Sequence, residues 1–196
     1  MTEHDIAAPL AAALAAKGYA KLTSVQEAVL NPGAAGRDLL VSAQTGSGKT
    51  VAFGLAMAPD LLDGGTLLPQ SGLPLALAIA PTRELAAQIA EAFRPLAQTA
   101  RLSLLTIVGG VNQNPQVRSL HAGVDVLVAT PGRLLDLRDQ GHLSLADVAV
   151  TVIDEADHMS DMGFLPGVKK ILAATPPRSQ RLLFSATLDN AVDVLV

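Results

Sequence analysis

A glycine-rich segment between two apolar stretches places the strongest constraint on the fold of this chain. Residues Ala43–Thr50 have the sequence Ala-Gln-Thr-Gly-Ser-Gly-Lys-Thr, which follows a short apolar run at 38–42 and precedes an apolar-periodic segment at 51–62. The pattern predicts a strand, a tight turn and a helix in direct succession. Glycines in such a turn let successive backbone N–H groups face one anion, and the helix presents its partly positive N-terminus to the same anion. The segment is therefore expected to fold as a phosphate-binding loop.

Several residues of this loop carry the chemistry expected of a nucleotide site. Lys49 would supply a positive charge for the outer phosphates, and the Thr50 hydroxyl is a suitable ligand for Mg²⁺. The alternative is a glycine-rich turn that only begins a helix. Because Gly46, Gly48, Lys49 and Thr50 occur together after a strand, the sequence favours a nucleoside triphosphate site. Ala43 is a departure, since it stands where the strict pattern has glycine.

Length and composition limit the remaining possibilities. The chain has 196 residues, enough for one α/β domain, and it has no cysteine, which excludes disulfides and thiolate metal sites and suits a reducing cytoplasm. Glu3 and Asp5 stand where a signal peptide carries positive charge, and no apolar run reaches the roughly 18 residues of a membrane span. We therefore expect a soluble, cytoplasmic protein without membrane contact. The net charge of −4 argues against strong, self-sufficient nucleic-acid binding, which depends largely on phosphate neutralisation.

Strands and helices are predicted to alternate along the chain. Apolar runs predict six strands, at 38–42, 75–80, 103–108, 125–129, 148–153 and 181–184. Helices are predicted at 51–62, 115–121 and 167–174, from about 82, from about 131 and after 187, with a surface connection at 64–72. This alternation favours an α/β fold with a mostly parallel sheet and helices on both faces. The unusual turns follow the C-terminal ends of strands, where ligands bind in open α/β sheets.

Two helical segments are predicted before the first strand. Residues 6–17 are rich in Ala and Leu and predict a helix that ends at Gly18, and Thr23 or Ser24 can cap a second helix. Gln26 has two interpretations. It can complete a capping box, or its amide can recognise adenine by accepting from the N6 amino group and donating to N7. Spacing alone favours the capping box.

Two carboxylates follow the strand predicted at 148–153. Because consecutive side chains of a strand point to opposite sides, Asp154 and Glu155 are expected to have different roles. One can hold Mg²⁺, usually through water, while the other orients and deprotonates an attacking water. The alternative is a solvated acidic turn that caps a helix, which Lys49 and Thr50 upstream make less favourable.

The other strand ends carry less specific patterns. In isolation, Ser185 and Thr187 would be interpreted as a helix cap. Arg83, Thr130 and Arg133 lie at predicted helix starts, where such side chains can hold nucleic-acid phosphates without reading bases. Solvated surface charge is an equal alternative for the two arginines. The histidines lack the spacing of metal ligands; they are His4, His121, His142 and His158.

Taken jointly, the motifs resemble those of the DEAD-box family of ATP-dependent RNA helicases. Seven elements occur in the family's order: Gly18–Gln26 is similar to the Q motif, Ala43–Thr50 to motif I, Pro81–Ala86 to motif Ia, Gly109–Gly110 to the double glycine, Thr130–Arg133 to motif Ib, Asp154–Asp157 to motif II and Ser185–Thr187 to motif III. The resemblance implies a RecA-like P-loop NTPase fold. It further implies a single N-terminal domain over 1–196, with a Q-motif helical region at 1–35 and the RecA-like core at 36–196.

The resemblance also implies a role for each motif residue, with ATP and Mg²⁺ as cofactors. The implied nucleotide-binding residues are Tyr19, stacked on adenine, and Gln26, Ala43, Gln44, Thr45, Gly46, Ser47, Gly48, Lys49 and Thr50. Glu155 would be the catalytic base, with Lys49 and Asp154 also catalytic, and Thr50 and Asp154 would hold Mg²⁺, the latter through water. Residues that would couple nucleotide state to RNA engagement are Asp157, Ser185 and Thr187. The implied RNA-backbone contacts are Pro81, Thr82, Arg83, Gly109, Gly110, Thr130, Pro131, Gly132 and Arg133.

Family helicases have a second RecA-like domain, and this chain ends before it. In the family, that second domain carries the arginine fingers. In related phosphoryl transfer an arginine finger raises the rate by roughly 10³ to 10⁵. We therefore expect a monomeric piece of a longer helicase that binds adenine nucleotides weakly, hydrolyses them barely and binds RNA poorly. Two alternatives remain open: another P-loop ATPase such as a DNA translocase, and an ATP-dependent RNA clamp without productive unwinding. Leu22 replaces the Pro usual in the Q motif, which is expected to leave the loop before Gln26 less rigid.

Overall fold

The computed structural model of the chain describes residues 11, 15, 21–42, 47–63, 66–67 and 73–187. Some predictions therefore lie outside the described residues. These are most of the first helix with Gly18 and Tyr19, the loop residues Ala43, Gln44, Thr45 and Gly46, and the helix predicted after 187.

Six parallel strands form the central sheet. In chain order the described strands are β1 Leu39–Ser42, β2 Leu62–Asp63, β3 Thr66–Leu67, β4 Ala76–Ile79, β5 Leu104–Ile107, β6 Val126–Ala129, β7 Val150–Ile153 and β8 Gln180–Ser185. All except β2 and β3 belong to this sheet. The sheet order is β1-β8-β7-β4-β6-β5, and every neighbouring pair is parallel. All six strands predicted from apolar runs are present, with ends that shift by one or two residues. The predicted parallel α/β architecture is confirmed.

Helices connect these strands. In chain order, those that the structure describes are α1 Ser24–Val29, α2 Lys49–Leu61, α3 Arg83–Ala100, α4 Asn114–His121, α5 Pro131–Asp139, α6 Ala156–Asp161 and α7 Leu165–Ala174, with a 3₁₀ turn at Pro32–Ala34. The start of α3 illustrates why a helix begins where it does. Thr82 has extended backbone angles and its hydroxyl accepts a hydrogen bond from Leu85 N at 3.2 Å, which satisfies one of the free donors of the first turn.

The sheet is covered on both faces because its strands alternate between two cores. In β4, Ala76 and Ala78 pack with α2 and α3 on one face. Leu77 and Ile79 pack on the other face with α5, α6 and α7. The first face also contains Phe53 and Phe184, whose rings meet edge to face at 4.5 Å. Full burial of β4, β6 and β7 on both faces explains why their sequences are continuous apolar runs rather than alternating patterns.

Two elements depart from the sequence prediction. β2 and β3 form a short antiparallel pair at the beginning of the connection predicted at 64–72, and strands of two residues are too short to show a periodicity. Helix α6, six residues long, follows Glu155 directly, where the sequence indicated a helix only within the alternative of an acidic turn that caps one. Among the described residues, no helix is long and apolar enough to cross a membrane.

Candidate functional site

All six parallel strands end at one edge of the sheet, and the candidate residues gather there. The sheet order divides them into two groups. The ends of β1, β8 and β7 carry the described part of the phosphate loop, Ser185 and the acidic pair. The ends of β4, β6 and β5 carry the segments that begin at Pro81, Thr130 and Gly109. The sequence could predict a shared edge, but it could not predict this division, which depends on the order of strands.

Lys49 and Asp154 form a buried ion pair at the first group. Lys49 is the first residue of α2, and its Nζ lies 3.5 Å from Asp154 Oδ1, with both side chains only 8% exposed. The backbone N–H of Glu155 also donates to Asp154 Oδ1, at 3.0 Å. Burial raises the pKa of Asp154 to about 6, although Lys49 and this hydrogen bond act to lower it. The negative charge of ionised Asp154 is therefore only partly balanced by its surroundings, and a second cation beside the carboxylate would stabilise the ionised form.

Glu155 lies beyond the end of β7 and faces a different environment from Asp154, since its side chain is 21% exposed against 8%. It occupies the N-cap position of α6 with φ at +52°, a left-handed conformation that is rare for a residue with a side chain. Its Oε2 lies 3.4 Å from Nδ1 of His158, a contact that the sequence analysis missed and that the i, i+3 spacing on a helix could have indicated. Strained backbone of this kind occurs preferentially at functional sites.

Gln26 satisfies the capping interpretation and reaches the phosphate loop as well. Thr23 N donates to Gln26 Oε1 at 3.0 Å and Gln26 N donates to Thr23 Oγ1 at 3.4 Å, so the capping box is present. Gln26 Nε2 also donates to Gly48 O at 3.2 Å. An amide side chain has two donors and two lone pairs, so one donor and one acceptor site remain after these bonds. Capping therefore does not exhaust the hydrogen-bonding capacity of Gln26, whose side chain is buried, with only 1% of the residue exposed.

The contact with Gln26 explains why residue 48 is glycine. Gly48 has φ at +86°, and a Cβ there would lie 2.5 Å from Gln26 Nε2. The neighbouring Ser47 hydroxyl is buried and has no hydrogen-bond partner among the described residues. Leu22, which precedes this cap, is partly buried and packs against the core on the α2 side of the sheet.

Asp157, Ser185 and Thr187 form one hydrogen-bonded network between the ends of β7 and β8. Asp157 N donates to Ser185 Oγ at 3.3 Å, and both the backbone N and the hydroxyl of Thr187 donate to Asp157 Oδ2 at 3.1 Å. Burial alone would raise the pKa of Asp157, but hydrogen bonds from the N–H of His158, from Thr187 and from Ser185 lower it. The helix that Ser185–Thr187 would cap lies outside the described residues, and within the described part of the chain their polar atoms pair with Asp157.

Arg83 and Thr130 in the second group are accessible. The Arg83 side chain is 53% exposed and makes only a distant 3.8 Å contact with Glu84, while its Nη1 lies close enough to Gly110 that a Cβ there would approach to 3.1 Å. Thr130 is the N-cap residue of α5, yet its side chain makes no capping hydrogen bond. Pro131 follows as the first residue of α5, and Gly132 is exposed.

Arg133 is not the solvated surface charge that one of its two sequence interpretations predicted. Its side chain is 12% exposed, and its Nη2 donates to Val111 O at 3.1 Å. A second unpredicted contact holds the same loop: Gln116 Nε2 donates to Val108 O at 3.1 Å and its Oε1 accepts from Val108 N at 3.3 Å. Nothing in the sequence distinguishes Gln116 from a surface glutamine, since its role depends on where α4 packs.

Comparisons with known proteins agree with this arrangement. A family model described as DEAD/DEAH box helicase matches residues 23–195. The chain is 43% identical over 183 residues to RNA helicase CrhR of Synechocystis, covering 93% of this chain and 36% of that protein. It is 40% identical over 190 residues to the ATP-dependent RNA helicase DBP2 of Encephalitozoon cuniculi, covering 97% of this chain and 38% of that protein.

A solved structure gives the same result for the fold. The crystal structure of a DEAD box protein from Methanococcus jannaschii superposes with a TM-score of 0.89 at 32% identity, over 100% of this chain and 52% of that chain. The present chain thus spans about half of that structure and less than half of the curated relatives. The predicted RecA-like fold is confirmed, and the chain belongs to the DEAD/DEAH box helicase family.

Proposed function

We propose that this chain, over 1–196, is the ATP-binding RecA-like domain of an ATP-dependent RNA helicase that couples ATP binding and hydrolysis to local separation of RNA duplexes. The observation that carries the proposal is the buried contact of Lys49 with Asp154 at the end of β7, one residue from Thr50. The names of relatives matched over this span, ATP-dependent RNA helicases, support the choice of ATP and RNA.

The residues around this contact fit a magnesium nucleotide. Mg²⁺ at nucleotide sites is held by one or two carboxylates together with phosphates, and Asp154 is a buried carboxylate whose ionisation burial disfavours. The Ser47 hydroxyl is buried and has no hydrogen-bond partner in the described part of the chain, so it offers a donor to a phosphate oxygen. Thr50 and Asp154 would hold the ion, Asp154 through water, and the ion would neutralise charge on the phosphates. Lys49 would contact the outer phosphates.

Gln26 is proposed to read adenine with the donor and acceptor that its present bonds leave free. Tyr19 would stack on the base, and Ala43, Gln44, Thr45 and Gly46 would complete the phosphate loop with Ser47 and Gly48. Because Gln26 Nε2 also binds Gly48 O, the base-reading side chain and the phosphate loop are joined directly. Recognition of the base would therefore stabilise the loop that holds the phosphates.

Glu155 is proposed as the general base that takes a proton from the attacking water. Its left-handed backbone turns it away from the buried Lys49–Asp154 pair, toward a more exposed position. Asp157, Ser185 and Thr187 would couple the nucleotide to RNA, since their network joins the ends of β7 and β8. A second RecA-like domain of the same parent protein would supply the arginine finger, so this chain alone should hydrolyse ATP barely.

RNA is proposed to lie across the second group of strand ends. Thr82, Arg83, Gly109, Gly110, Thr130, Pro131 and Gly132 would contact its backbone, with Pro81 shaping the turn and Arg133 at the same edge. Exposed Arg83, the free Thr130 hydroxyl and the backbone of the glycine pair suit phosphate and 2′-OH contacts rather than base contacts. Binding would therefore be independent of sequence and selective for RNA.

Replacement of Glu155 by Gln in the helicase that contains this chain tests the proposal. We expect nucleotide affinity to be kept and RNA-stimulated ATP hydrolysis to fall by about 10² to 10⁴. Glu91→Gln, at an exposed residue of α3, is the matched control and should leave turnover unchanged. Stimulation by duplex DNA instead of RNA would contradict the substrate. RNA binding without multiple-turnover unwinding of a short duplex would favour the alternative, an ATP-dependent RNA clamp.

A further inference from the structure

The loop between β5 and α4 contains two successive glycines. We call residues 109–113 the glycine loop. Gly109 and Gly110 have no side chains to anchor it, Gly110 has φ at +73°, and Val111 is 48% exposed. Glycine pairs lose more conformational freedom on ordering than other residues. A loop of this composition needs contacts from elsewhere to keep one conformation.

Two polar side chains supply those contacts, Arg133 of α5 and Gln140 at its C-cap, and Asp136 of α5 links them. Arg133 Nη2 donates to Val111 O at 3.1 Å, and Arg133 Nε lies 3.7 Å from Asp136 Oδ2. Gln140 Nε2 donates to Asp136 Oδ1 at 2.8 Å, and its Oε1 accepts from Gln113 Nε2 at 3.0 Å. We call Arg133, Asp136 and Gln140 the α5 brace. It is a continuous chain of contacts that holds the glycine loop at two points, Val111 and Gln113.

The donors of Arg133 face the protein rather than solvent. Its side chain is 12% exposed, against 53% for Arg83 at the equivalent start of α3. The remaining nitrogen, Nη1, is buried and has no partner among the described residues. A side chain that binds a phosphate needs accessible N–H groups, but Arg133 Nη2 already donates to the carbonyl oxygen of Val111 in the glycine loop.

We propose that Arg133 is a positioning residue, which with Asp136 and Gln140 fixes the glycine loop in the conformation that binds RNA and does not itself contact a phosphate. The proposal rests on the proposed function, in which the glycine loop contacts the RNA backbone. Lys cannot replace Arg in this role. The guanidinium reaches Val111 O and Asp136 with two differently directed N–H groups, whereas an ammonium is a single point charge.

RNA binding by the helicase that contains this chain gives the first test. Arg133→Gln should weaken RNA affinity on the order of tenfold, the loss typical of a hydrogen bond to a charged group. The slope of log affinity against log salt should stay unchanged, whereas Arg83→Gln should reduce its magnitude by about 0.7, as for one lost phosphate contact on a single strand. Arg133→Lys should bind RNA as weakly as Arg133→Gln. ATP affinity should be unchanged in all three variants.

Arg138→Gln is the matched control for this set. Arg138 lies on the same helix and also donates to a backbone carbonyl, that of Lys170 at 3.1 Å, away from the glycine loop. It should leave RNA affinity unchanged. The milder variant Gln140→Ala breaks the brace at an exposed residue, so it should fold normally and weaken RNA affinity by about twofold.

Backbone dynamics of this chain give a second test that needs no RNA. In Arg133→Gln, the NMR order parameters of Gly110, Val111 and Asn112 should fall from about 0.85, typical of rigid backbone, to below about 0.6, while Arg138→Gln keeps them. Restored RNA affinity in Arg133→Lys together with a reduced salt slope in Arg133→Gln would overturn the proposal. Unchanged order parameters in Arg133→Gln would also overturn it. If the unaltered helicase binds no RNA, the proposed function fails, and the order parameters still decide whether the α5 brace holds the loop.

Discussion

Ionisation of Asp154 should lower the stability of the ligand-free protein as the pH rises from 5 to 7. Its pKa is raised by burial to about 6, from 3.8 for a solvated aspartate. Between these values the folded protein holds a proton that the unfolded chain has lost. The unfolded chain therefore binds fewer protons, and the free energy of unfolding falls with increasing pH. Near pH 7 both states are ionised and the cost is almost complete.

The size of this effect follows from the two pKa values. With about 6 in the folded and 3.8 in the unfolded state, linkage gives about 1 kcal/mol more unfolding free energy at pH 5 than at pH 7. Asp154→Asn removes the titrating group and so removes this part of the pH dependence. Contributions from histidines and other carboxylates are common to both proteins and cancel in the comparison. The unpaired Lys49 shifts the stability of the variant at both pH values, so only the difference between pH values is informative.

Urea unfolding at pH 5 and pH 7, with EDTA present and nucleotide absent, measures this difference. Asp161→Asn, at an exposed aspartate of α6, is the charge-matched control and should behave as the unaltered chain does. Equal pH dependence in the unaltered chain and in Asp154→Asn would refute the reasoning, because Asp154 would then not be destabilised by burial.

Three further predictions follow from the contacts of the candidate site. Gly48→Ala should destabilise the protein by about 1–2 kcal/mol, because residue 48 has a left-handed backbone and the new Cβ would collide with Gln26 Nε2. The variant should also show a smaller thermal shift on adding Mg²⁺ and ADP. An unchanged melting temperature would contradict this prediction. Thr23→Ala removes the N-cap acceptor of α1 and should cost about 1 kcal/mol in chemical unfolding, whereas Ser24→Ala at the exposed neighbouring position should cost much less. Asp157→Asn weakens the acceptor of both Thr187 hydrogen bonds, and each such charge-assisted bond contributes about 1.5–3 kcal/mol. RNA should therefore lose much of its stimulation of ATP hydrolysis by the parent helicase, while ATP affinity should stay within about twofold. Full stimulation by RNA would count against the network's coupling role.

The sequence predicted those parts of the fold that depend on local pattern. Apolar runs of Val, Ile and Leu located all six strands of the sheet, most clearly β4, β6 and β7, which are buried along their whole length. The turn residues after them located the edge where the candidate residues gather. β2 and β3 were missed because two-residue strands form through pairing rather than through a local pattern. Helix α6 entered the prediction only as the helix that an acidic turn would cap, because its six residues, Ala156–Asp161, contain few apolar positions.

The candidate site was predictable in composition but not in geometry. Lys49, Thr50 and Asp154 were identified from motifs, and the structure brings Lys49 to Asp154. The left-handed turn at Glu155 and the bond between Gln26 and Gly48 depend on tertiary packing, and no spacing rule contains them. Arg133 shows the limit most clearly. From the sequence, Arg133 was interpreted as a residue that binds phosphate or as a solvated charge. In the structure its side chain is largely buried against the glycine loop, about twenty residues earlier in the chain.

Calorimetric titration of this chain with ATP and Mg²⁺ tests the central claim, that the turn after β1 holds a nucleotide's phosphates beside Asp154. The unaltered chain should bind with measurable heat, and Lys49→Met should weaken that affinity by about 10- to 100-fold, the loss expected for a charge-assisted contact to phosphate. No heat with the unaltered chain at millimolar nucleotide, or equal affinity in the two proteins, would contradict the account.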